Sequence, residues 1–376
     1  MKKSDYNYDL PEELIAEEPI EAEEGKFRDD ARLLVLDRQT GDMTHAYFKD
    51  LYKFLEPGDV VVVNNVKVFP SRLYGIKERT NANIEMLLLR ELDPELHLWD
   101  TIVSPARKVR VGNKIIFPIP NRIKKRLQKE APHLLEGIKD SGLIAEVIDN
   151  TTSRGRTIRF LYSGSSKDLR DLLREVGYMP IPPYMKRKPD DRDREWYQTI
   201  FAKDEEEFGV AAHTSALHFT ETLCKRLYLH DIDLVEITLH IGVASFNPIN
   251  VEDLKKFQLD AEFFRITPDA AKVINRALER GKRVVAVGTS VVRALESSVS
   301  ADGFVLPREG WTNLFIYPGF KFRIVKAMVT NFHQPQSTNI IMTATFAGKE
   351  LLFKAYEEAI KQGYRFLSYG DAMLIL

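Results

Sequence analysis

Four histidines sit among residues that could move protons or hold a substrate. Ala211-Ala212-His213-Thr214-Ser215-Ala216-Leu217-His218-Phe219 places two of them on a small-residue segment that opens a helix. Thr238-Leu239-His240-Ile241-Gly242 sets a third at or near a strand end, and Asn331-Phe332-His333-Gln334-Pro335 puts a fourth just before a helix. Imidazole titrates near neutrality, so a histidine on a loop at a strand end is a natural proton carrier in an α/β enzyme. Taken singly, each is as readily a hydrogen-bonded structural residue, and only convergence of several would make a site. No spacing follows a zinc pattern such as His-Glu-x-x-His, so no metal is expected. Gly288-Thr289-Ser290 lies where a buried strand hands over to a helix. Backbone N–H groups and the helix dipole there favour a carboxylate or phosphate, with the two hydroxyls and Arg293 as further donors. The plainer alternative is an ordinary helix cap, with Arg293 and Glu296 as a surface ion pair one turn apart. Gly-x-Gly-x-x-Gly and Gly-Lys-Ser/Thr are both missing, which argues against a dinucleotide fold or an NTPase. The closing segment Tyr369-Gly370-Asp371-Ala372-Met373 is polar for a last strand; an edge strand with a glycine bulge is the packing explanation.

The elements that must position these residues can be read from the pattern. Ala31–Asp37 and Met43–Phe48 read as strands around a Gln39-Thr40-Gly41-Asp42 turn, and Val60–Asn64 as a buried strand after Pro57-Gly58-Asp59. From about Asn83 to Ser163 short β-rich runs follow at Ile84–Leu89, Leu96–Val103, Val109–Phe117, Leu143–Asp149 and Arg156–Tyr162, around a basic insertion from Arg122 to Lys129. Such spacing suggests a small barrel or sandwich inserted into a larger domain. Ser166 is a candidate N-cap for a helix over Asp168–Val176. Pro180–Lys188 is too rich in proline for either regular element and is a linker or an ordered loop lining a cleft. The remainder alternates helices (Thr220–Tyr228, Pro268–Arg280, Val291–Ser298, two between Pro335 and Gln362) with strands (Asp233–Ile241, Val284–Val287, Leu314–Tyr317, Arg323–Val329, Arg365–Leu376). The fold class is α/β: an α/β domain over 1–75 and 165–376, interrupted by a β-barrel domain over 76–164.

Composition bounds the rest. The 376 residues are 44% hydrophobic and 29% charged, enough to bury two cores and unlike a disordered chain. With 54 basic and 55 acidic residues, any contact with a polyanion must come from local patches. Arg107-Lys108-Val109-Arg110, Arg122–Arg126, Arg154 with Arg156 and Arg159, and Lys186-Arg187-Lys188 are such clusters, three of them in the expected barrel. Cys224 is the only cysteine, which excludes an intrachain disulfide, a four-thiolate zinc site and a three-cysteine iron–sulfur cradle. The polar acidic leader and the lack of any long apolar run lead us to expect a soluble, cytoplasmic protein.

These motifs, taken together and in order, resemble one enzyme family. They are Phe48-Lys-Asp-Leu…Leu55-Glu-Pro-Gly-Asp-Val-Val-Val-Val-Asn-Asn65…Pro70-Ser-Arg-Leu-Tyr-Gly75, Ala211–Phe219, Thr238–Phe246, Ala286–Glu296, Thr330–Thr338 and Tyr369–Met373. The family is S-adenosylmethionine:tRNA ribosyltransferase-isomerase of queuosine biosynthesis. The resemblance implies an α/β domain with an inserted barrel. It implies transfer and isomerisation of the ribosyl part of S-adenosylmethionine onto 7-aminomethyl-7-deazaguanine at the tRNA wobble position, giving epoxyqueuosine, adenine and methionine. S-adenosylmethionine is then a substrate rather than a resident cofactor, no metal is needed, and tRNA is the partner of an expected monomer. His218, His240 and His333 become proton-transfer candidates, with Asp371 orienting one of them; which is the base stays open. Substrate contacts are expected from Asn64, Asn65, Arg72, Thr214, Phe219, Glu262, Gly288, Thr289, Ser290, Arg293, Asn331, Phe332, Tyr369 and Met373. The anion site at Gly288–Ser290 with Arg293 would take the methionine carboxylate, and Phe219, Phe332 or Tyr369 would stack on bases.

The chain departs from the family pattern at clustered positions. His213-Thr214-Ser215-Ala216 stands for Pro-Thr-Ala-Gly, and Ala244-Ser245-Phe246 for Gly-Thr-Phe or Gly-Asn-Phe. Asp260-Ala261-Glu262 stands for His-Ser-Glu or His-Ala-Glu, and Gln334-Pro335-Gln336 for Leu-Pro-Lys. Two lost glycines restrict the backbone, and His213 adds a titratable group. A paralogue that binds tRNA without the chemistry, or one using S-adenosylmethionine on another amine, are the alternatives.

Overall fold

Period-two burial sets the frame of the larger unit. Leu33 and Val35 face one side of their strand and Leu34 and Leu36 the other, and all four are buried. Val60 and Val62 against Val61 and Val63, and Val284 and Ala286 against Val285 and Val287, divide in the same way. Strands apolar on both faces need cover on both. In the computed structural model, which describes residues 1–139, 141–152, 154–242 and 249–376 (backbone alone at 208 and 209), that cover is present. The chain forms two compact units: Met1–Lys67 with Pro182–Lys188 and Trp196–Leu376, and Val68–Ile181 with Pro189–Glu195.

In the larger unit β1 (Arg32–Leu36) and β2 (Met43–Tyr47) form the expected hairpin, and β3 (Val60–Asn64) the buried strand. A further short strand, β4, runs Val66–Val68. The second unit is built on a closed six-stranded barrel of β5 (Arg72–Lys77), β6 (Asn83–Asp93), β7 (Leu98–Ser104), β8 (Lys114–Phe117), β9 (Leu143–Asp149) and β10 (Gly155–Phe160), in the order β10-β7-β6-β5-β8-β9. β5 is a barrel strand although the pattern assigned most of it to the α/β domain. The reason is Gly75, where a Cβ would lie 2.7 Å from the Phe117 ring and 2.8 Å from Ile115, so only glycine lets these strands close. The basic insertion is helix α1 (Asn121–Glu130), followed by α2 (His133–Glu136) and α3 (Ser166–Val176). The cap of α3 is Ser165, not Ser166: its hydroxyl accepts from Asp168 N–H at 3.1 Å in a reciprocal capping box. Arg156 is no surface cation; it is buried and donates to the carbonyls of Val109 and Ala106, each at 2.9 Å.

After α4 (Asp193–Trp196), the larger unit resumes with β11 (Lys203–Gly209), α5 (Glu221–Leu229) and β12 (Asp233–Leu239). β13 (Glu262–Ile266), α6 (Pro268–Glu279), β14 (Val284–Val287) and α7 (Thr289–Glu296) follow. β15 (Arg308–Thr312), β16 (Val325–Asn331), α8 (Thr338–Ala347), α9 (Lys349–Lys361) and β17 (Ala372–Ile375) complete it. The strand expected at Leu314–Tyr317 is irregular, and β15 lies just before it. Nine strands form one mixed sheet, β15-β13-β12-β3-β14-β16-β17-β1-β2. Residues of α6 to α9 cover one face, and α5 with the 3-10 turn Phe48–Phe54 the other. β17 is an interior strand, parallel to β1 and antiparallel to β16, not the edge strand its polarity suggested. Its polar approach is a tight turn: Asp371, buried, accepts from the backbone N–H of Arg32 and Arg365, each at 2.8 Å. Among the described residues no helix is long and apolar enough to cross a membrane.

Candidate active site

β3, β12, β14 and β16 run parallel to one another, so their carboxyl ends share one side of the sheet. Loops leaving such ends are where open α/β sheets bind ligands. A cavity of about 380 Å³ lies within the larger unit, lined by Ala211–Ser215, Gly288–Ser290 with Arg293, and Asn331–Asn339. Each stretch contains residues singled out by type and spacing alone. Gly288 makes the turn from β14 into α7 at φ +89°, a conformation side chains rarely adopt, and its N–H is held by Val329 C=O at 2.7 Å. A Cβ there would meet nothing nearer than Ser215 Oγ at 3.6 Å, so the glycine serves backbone conformation rather than space.

Asn331 ties these stretches together. Its buried Oδ1 accepts from the hydroxyls of Thr214 and Ser215, each at 2.9 Å, and its Nδ2 faces His218 Nε2 at 3.4 Å. His213 makes a second tie, with Nδ1 2.8 Å from Ser290 Oγ and Nε2 3.1 Å from Leu239 C=O. Thr289 donates to Asn339 Oδ1 at 3.1 Å. His333 borders the cavity with Nε2 2.7 Å from Thr330 Oγ1; its backbone N–H donates to Tyr356 hydroxyl at 2.9 Å and its C=O accepts from Tyr8 hydroxyl at 2.5 Å. Burial pushes the imidazoles of His213, His218 and His333 down to about 3, with Arg365 and Arg28 adding to the effect at His218.

The charges are arranged differently from the expected surface pair. Arg293 is buried and gives Nη1 to Glu262 at 2.5 Å and Nε to Leu314 C=O at 3.1 Å. Glu262, also buried, takes Gly242 N–H at 2.9 Å. Glu296 accepts three backbone N–H groups, from Arg323 and Ile324 at 3.0 Å and Val325 at 2.9 Å, and so anchors the start of β16. With Arg293 matched to Glu262, the other cation bordering the cavity among the described residues is Lys3, whose Nζ donates to Ile249 C=O at 3.1 Å.

Of the nominated residues, Thr214, Gly288, Thr289, Ser290, Arg293, Asn331, Phe332 and His333 border the cavity. Glu262 stands behind Arg293. His218 and Tyr369 border a separate crevice with Arg28 and Trp196, and His218 faces the cavity residue Asn331. His240 packs on Phe263, ring centroids 5.7 Å apart, with Nε2 3.5 Å from Glu206; burial lowers its pKa. Asn64 holds β3 to Leu239 at 2.9 Å, and Asn65 takes the Thr238 hydroxyl at 2.9 Å. Phe219, stacked edge-on against Phe48 and Phe201, and Met373 on β17 are core residues with no exposed surface. The Phe332 ring is likewise enclosed by Tyr356, Tyr364 and Phe366, so neither phenylalanine offers a face to a base. Both oxygens of Asp371 are taken by backbone N–H groups, so it holds a turn rather than a histidine. Arg72 belongs to the barrel unit, paired with Glu85 at 3.0 Å. Asp260 is exposed, and Ala244 lies outside the described residues. Missed by pattern were Lys3, Tyr197 and Asn339, while Tyr184 borders the cavity from the proline-rich segment read as a linker or a cleft-lining loop. His213 was among the four histidines singled out, though not among the proton-transfer candidates.

Comparison with known proteins adds the relationship. The profile of a family described as "Queuosine biosynthesis protein" matches residues 3–375. The S-adenosylmethionine:tRNA ribosyltransferase-isomerase of Flavobacterium psychrophilum is 49% identical over 376 residues, covering all of both chains. That of Cytophaga hutchinsonii is 47% identical over the same span, again covering all of both chains. The crystal structure of S-adenosylmethionine tRNA ribosyltransferase from Thermotoga maritima matches at 32% identity and a TM-score of 0.52, over 99% of this chain and 100% of that one.

Proposed function

The chain belongs to the queuosine biosynthesis family of S-adenosylmethionine:tRNA ribosyltransferase-isomerases, and on that footing we propose that the cavity at the ends of β14 and β16 receives the S-adenosylmethionine whose ribosyl part the enzyme transfers. The reaction moves and isomerises that ribosyl group onto 7-aminomethyl-7-deazaguanine in tRNA, giving epoxyqueuosine and releasing adenine and methionine. The wobble base of the anticodon is the acceptor, splayed from its loop into the site. One observation carries the reading: three separate segments, 211–215, 288–290 and 331–339, converge on one cavity of a size that suits a small-molecule ligand.

His333 is the proton carrier. It alone of the three nominated histidines borders this cavity, and Nδ1 is its ring nitrogen without a hydrogen bond among the described residues. A sulfonium acidifies the neighbouring C–H bonds, so a neutral imidazole can take a proton there. Departing adenine needs a proton in return. The imidazolium formed in the first step can supply it, and the ring ends as it began; burial, which disfavours the cation, favours that second transfer and opposes the first. Lys3 is the cation positioned for the methionine carboxylate, because Glu262 already neutralises Arg293.

The test is adenine release and nucleoside mass, measured together with tRNA bearing the aminomethyl base. His333→Ala should lower turnover about 100- to 10,000-fold, the usual span for a lost proton carrier, with S-adenosylmethionine binding within threefold of wild type. His240→Ala should stay within about fivefold. Retention of a tenth of the rate by His333→Ala would remove it from the role.

A further inference from the structure

His333 stands between the end of β16 at Asn331 and the start of α8 at Thr338, so neither a strand ladder nor a helix serves its backbone. Two tyrosines serve it instead. Its N–H donates to the Tyr356 hydroxyl at 2.9 Å, and its C=O accepts from the Tyr8 hydroxyl at 2.5 Å. The rings that deliver these hydroxyls are held in turn. Tyr8 stands edge-on to Tyr356 with centroids 5.2 Å apart, and lies 6.3 Å from Phe353 and 6.4 Å from Phe366. Tyr356 is buried against Phe332 at 5.3 Å and Phe366 at 5.8 Å. Burial raises both phenols above their ordinary value, so Tyr8 keeps the proton it donates. Tyr8 comes to His333 from a distant part of the sequence, and the segment carrying it is stitched along two sides. Lys3 N–H donates to Glu252 C=O at 2.8 Å and Leu254 N–H to Met1 C=O at 3.1 Å on one side. On the other, Gln336 gives its N–H to Tyr6 C=O and its Nε2 to Asn7 Oδ1, each at 3.0 Å. The segment that brings Lys3 to the cavity thus also brings the hydroxyl that grips His333.

We propose, resting on the reading of His333 as the proton carrier, that Tyr8 is a positioning residue which, with Tyr356, fixes the His333 backbone so that ring Nδ1 meets the substrate at proton-transfer distance. Among the described residues the ring itself is tied at one atom, Nε2, 2.7 Å from Thr330 Oγ1. A ring held at one point still swings with its backbone, and grips on both sides of the Cα remove that freedom. Proton transfer needs the two heavy atoms within hydrogen-bond reach, and a misplacement of about 1 Å costs on the order of 100-fold in rate. Neither tyrosine touches the reacting atoms in this assignment; both act through His333.

The experiment compares single-turnover adenine release and equilibrium S-adenosylmethionine binding in Tyr8→Phe, His333→Ala and the double variant, with tRNA bearing the aminomethyl base. Tyr8→Phe keeps the ring and its packing and removes one hydroxyl. It should slow adenine release about 10- to 100-fold while S-adenosylmethionine binding stays within about twofold of wild type. A residue that merely shapes the cavity would weaken binding as well. Added to His333→Ala, the same change should cost less than about twofold, because no ring remains to be placed. Tyr356→Phe, which takes the acceptor from the His333 N–H, gives the same comparison if Tyr8→Phe does not fold. A Tyr8→Phe enzyme with more than about a third of the wild-type rate overturns the assignment. So does a loss of equal size whether or not the His333 ring is present, since Tyr8 would then act independently of it. In both cases a slow His333→Ala enzyme leaves the reading of His333 intact. A His333→Ala enzyme that keeps a tenth of the rate removes that reading and the assignment of Tyr8 with it.

Discussion

The histidines show how far burial overrides side-chain type. His213, His218 and His333 have the residue chemistry of neutral-pH proton donors, yet each is held near a pKa of about 3 because the folded protein cannot solvate the cation. The sign of the resulting pH dependence follows. Above the ordinary histidine value of about 6.5 neither state binds these protons. Between there and about 3 the unfolded chain is protonated at three positions where the folded chain is not, so stability falls as the pH falls through that window. Each histidine contributes up to about 1.4 kcal/mol per pH unit. Urea midpoints measured at pH 7.5, 6.0 and 5.0 should therefore drop progressively; a constant midpoint would show that the imidazoles are solvated. At this scale the sequence was legible where side chains meet a ligand cavity by way of the backbone turn, as at Gly288 and Ser290. It was misleading at Phe219, Met373 and Asp371, whose motif positions serve the core and a turn.

Elements were easier to read than residues. Val284–Val287 leading through Gly288 into a helix was evident from apolar run, glycine and hydroxyls, and it forms one wall of the cavity. Five of the six barrel strands were evident from short β-rich runs, and β5 was not. The partners of charged residues were not, because partnership depends on elements distant in sequence. Arg293 and Glu296, one helical turn apart, looked like a mutual pair. The structure sends Arg293 to Glu262 on β13 and Glu296 to the backbone of residues 323–325. Glu296→Ala should then strip three N–H groups at the head of β16 of their acceptor and cost about 3 kcal/mol, since each buried orphan costs about 1–3 kcal/mol. Glu296→Gln, keeping one carbonyl oxygen, should recover part of the loss. Denaturant unfolding of the two variants decides it; an Ala variant within 0.5 kcal/mol of wild type, roughly the range of a neutral surface change, would mean these groups find other partners.

Across the whole molecule, a nearly neutral chain must meet a polyanion through local charge. Helix α1 carries Arg122 and Arg126 paired with Asp191 and Glu175, while Lys125 and Lys129 are exposed and pair with no acid among the described residues. If tRNA binding uses about 4–6 phosphate contacts, affinity should fall tens- to thousands-fold over a physiological salt range. Lys125→Glu with Lys129→Glu should flatten the logarithmic salt slope by about 1 per lost contact and leave S-adenosylmethionine affinity unchanged. An unchanged slope would take α1 out of the tRNA contact. The strand order has a consequence in time rather than in space. β17 lies between β16 and β1, so the hairpin of β1 and β2 is joined to the other strands of the sheet only through residues 372–375. Those residues are synthesised after every other strand. Until they emerge, the nascent chain has two separate sheet fragments with exposed edges, a state that invites chaperones and proteases.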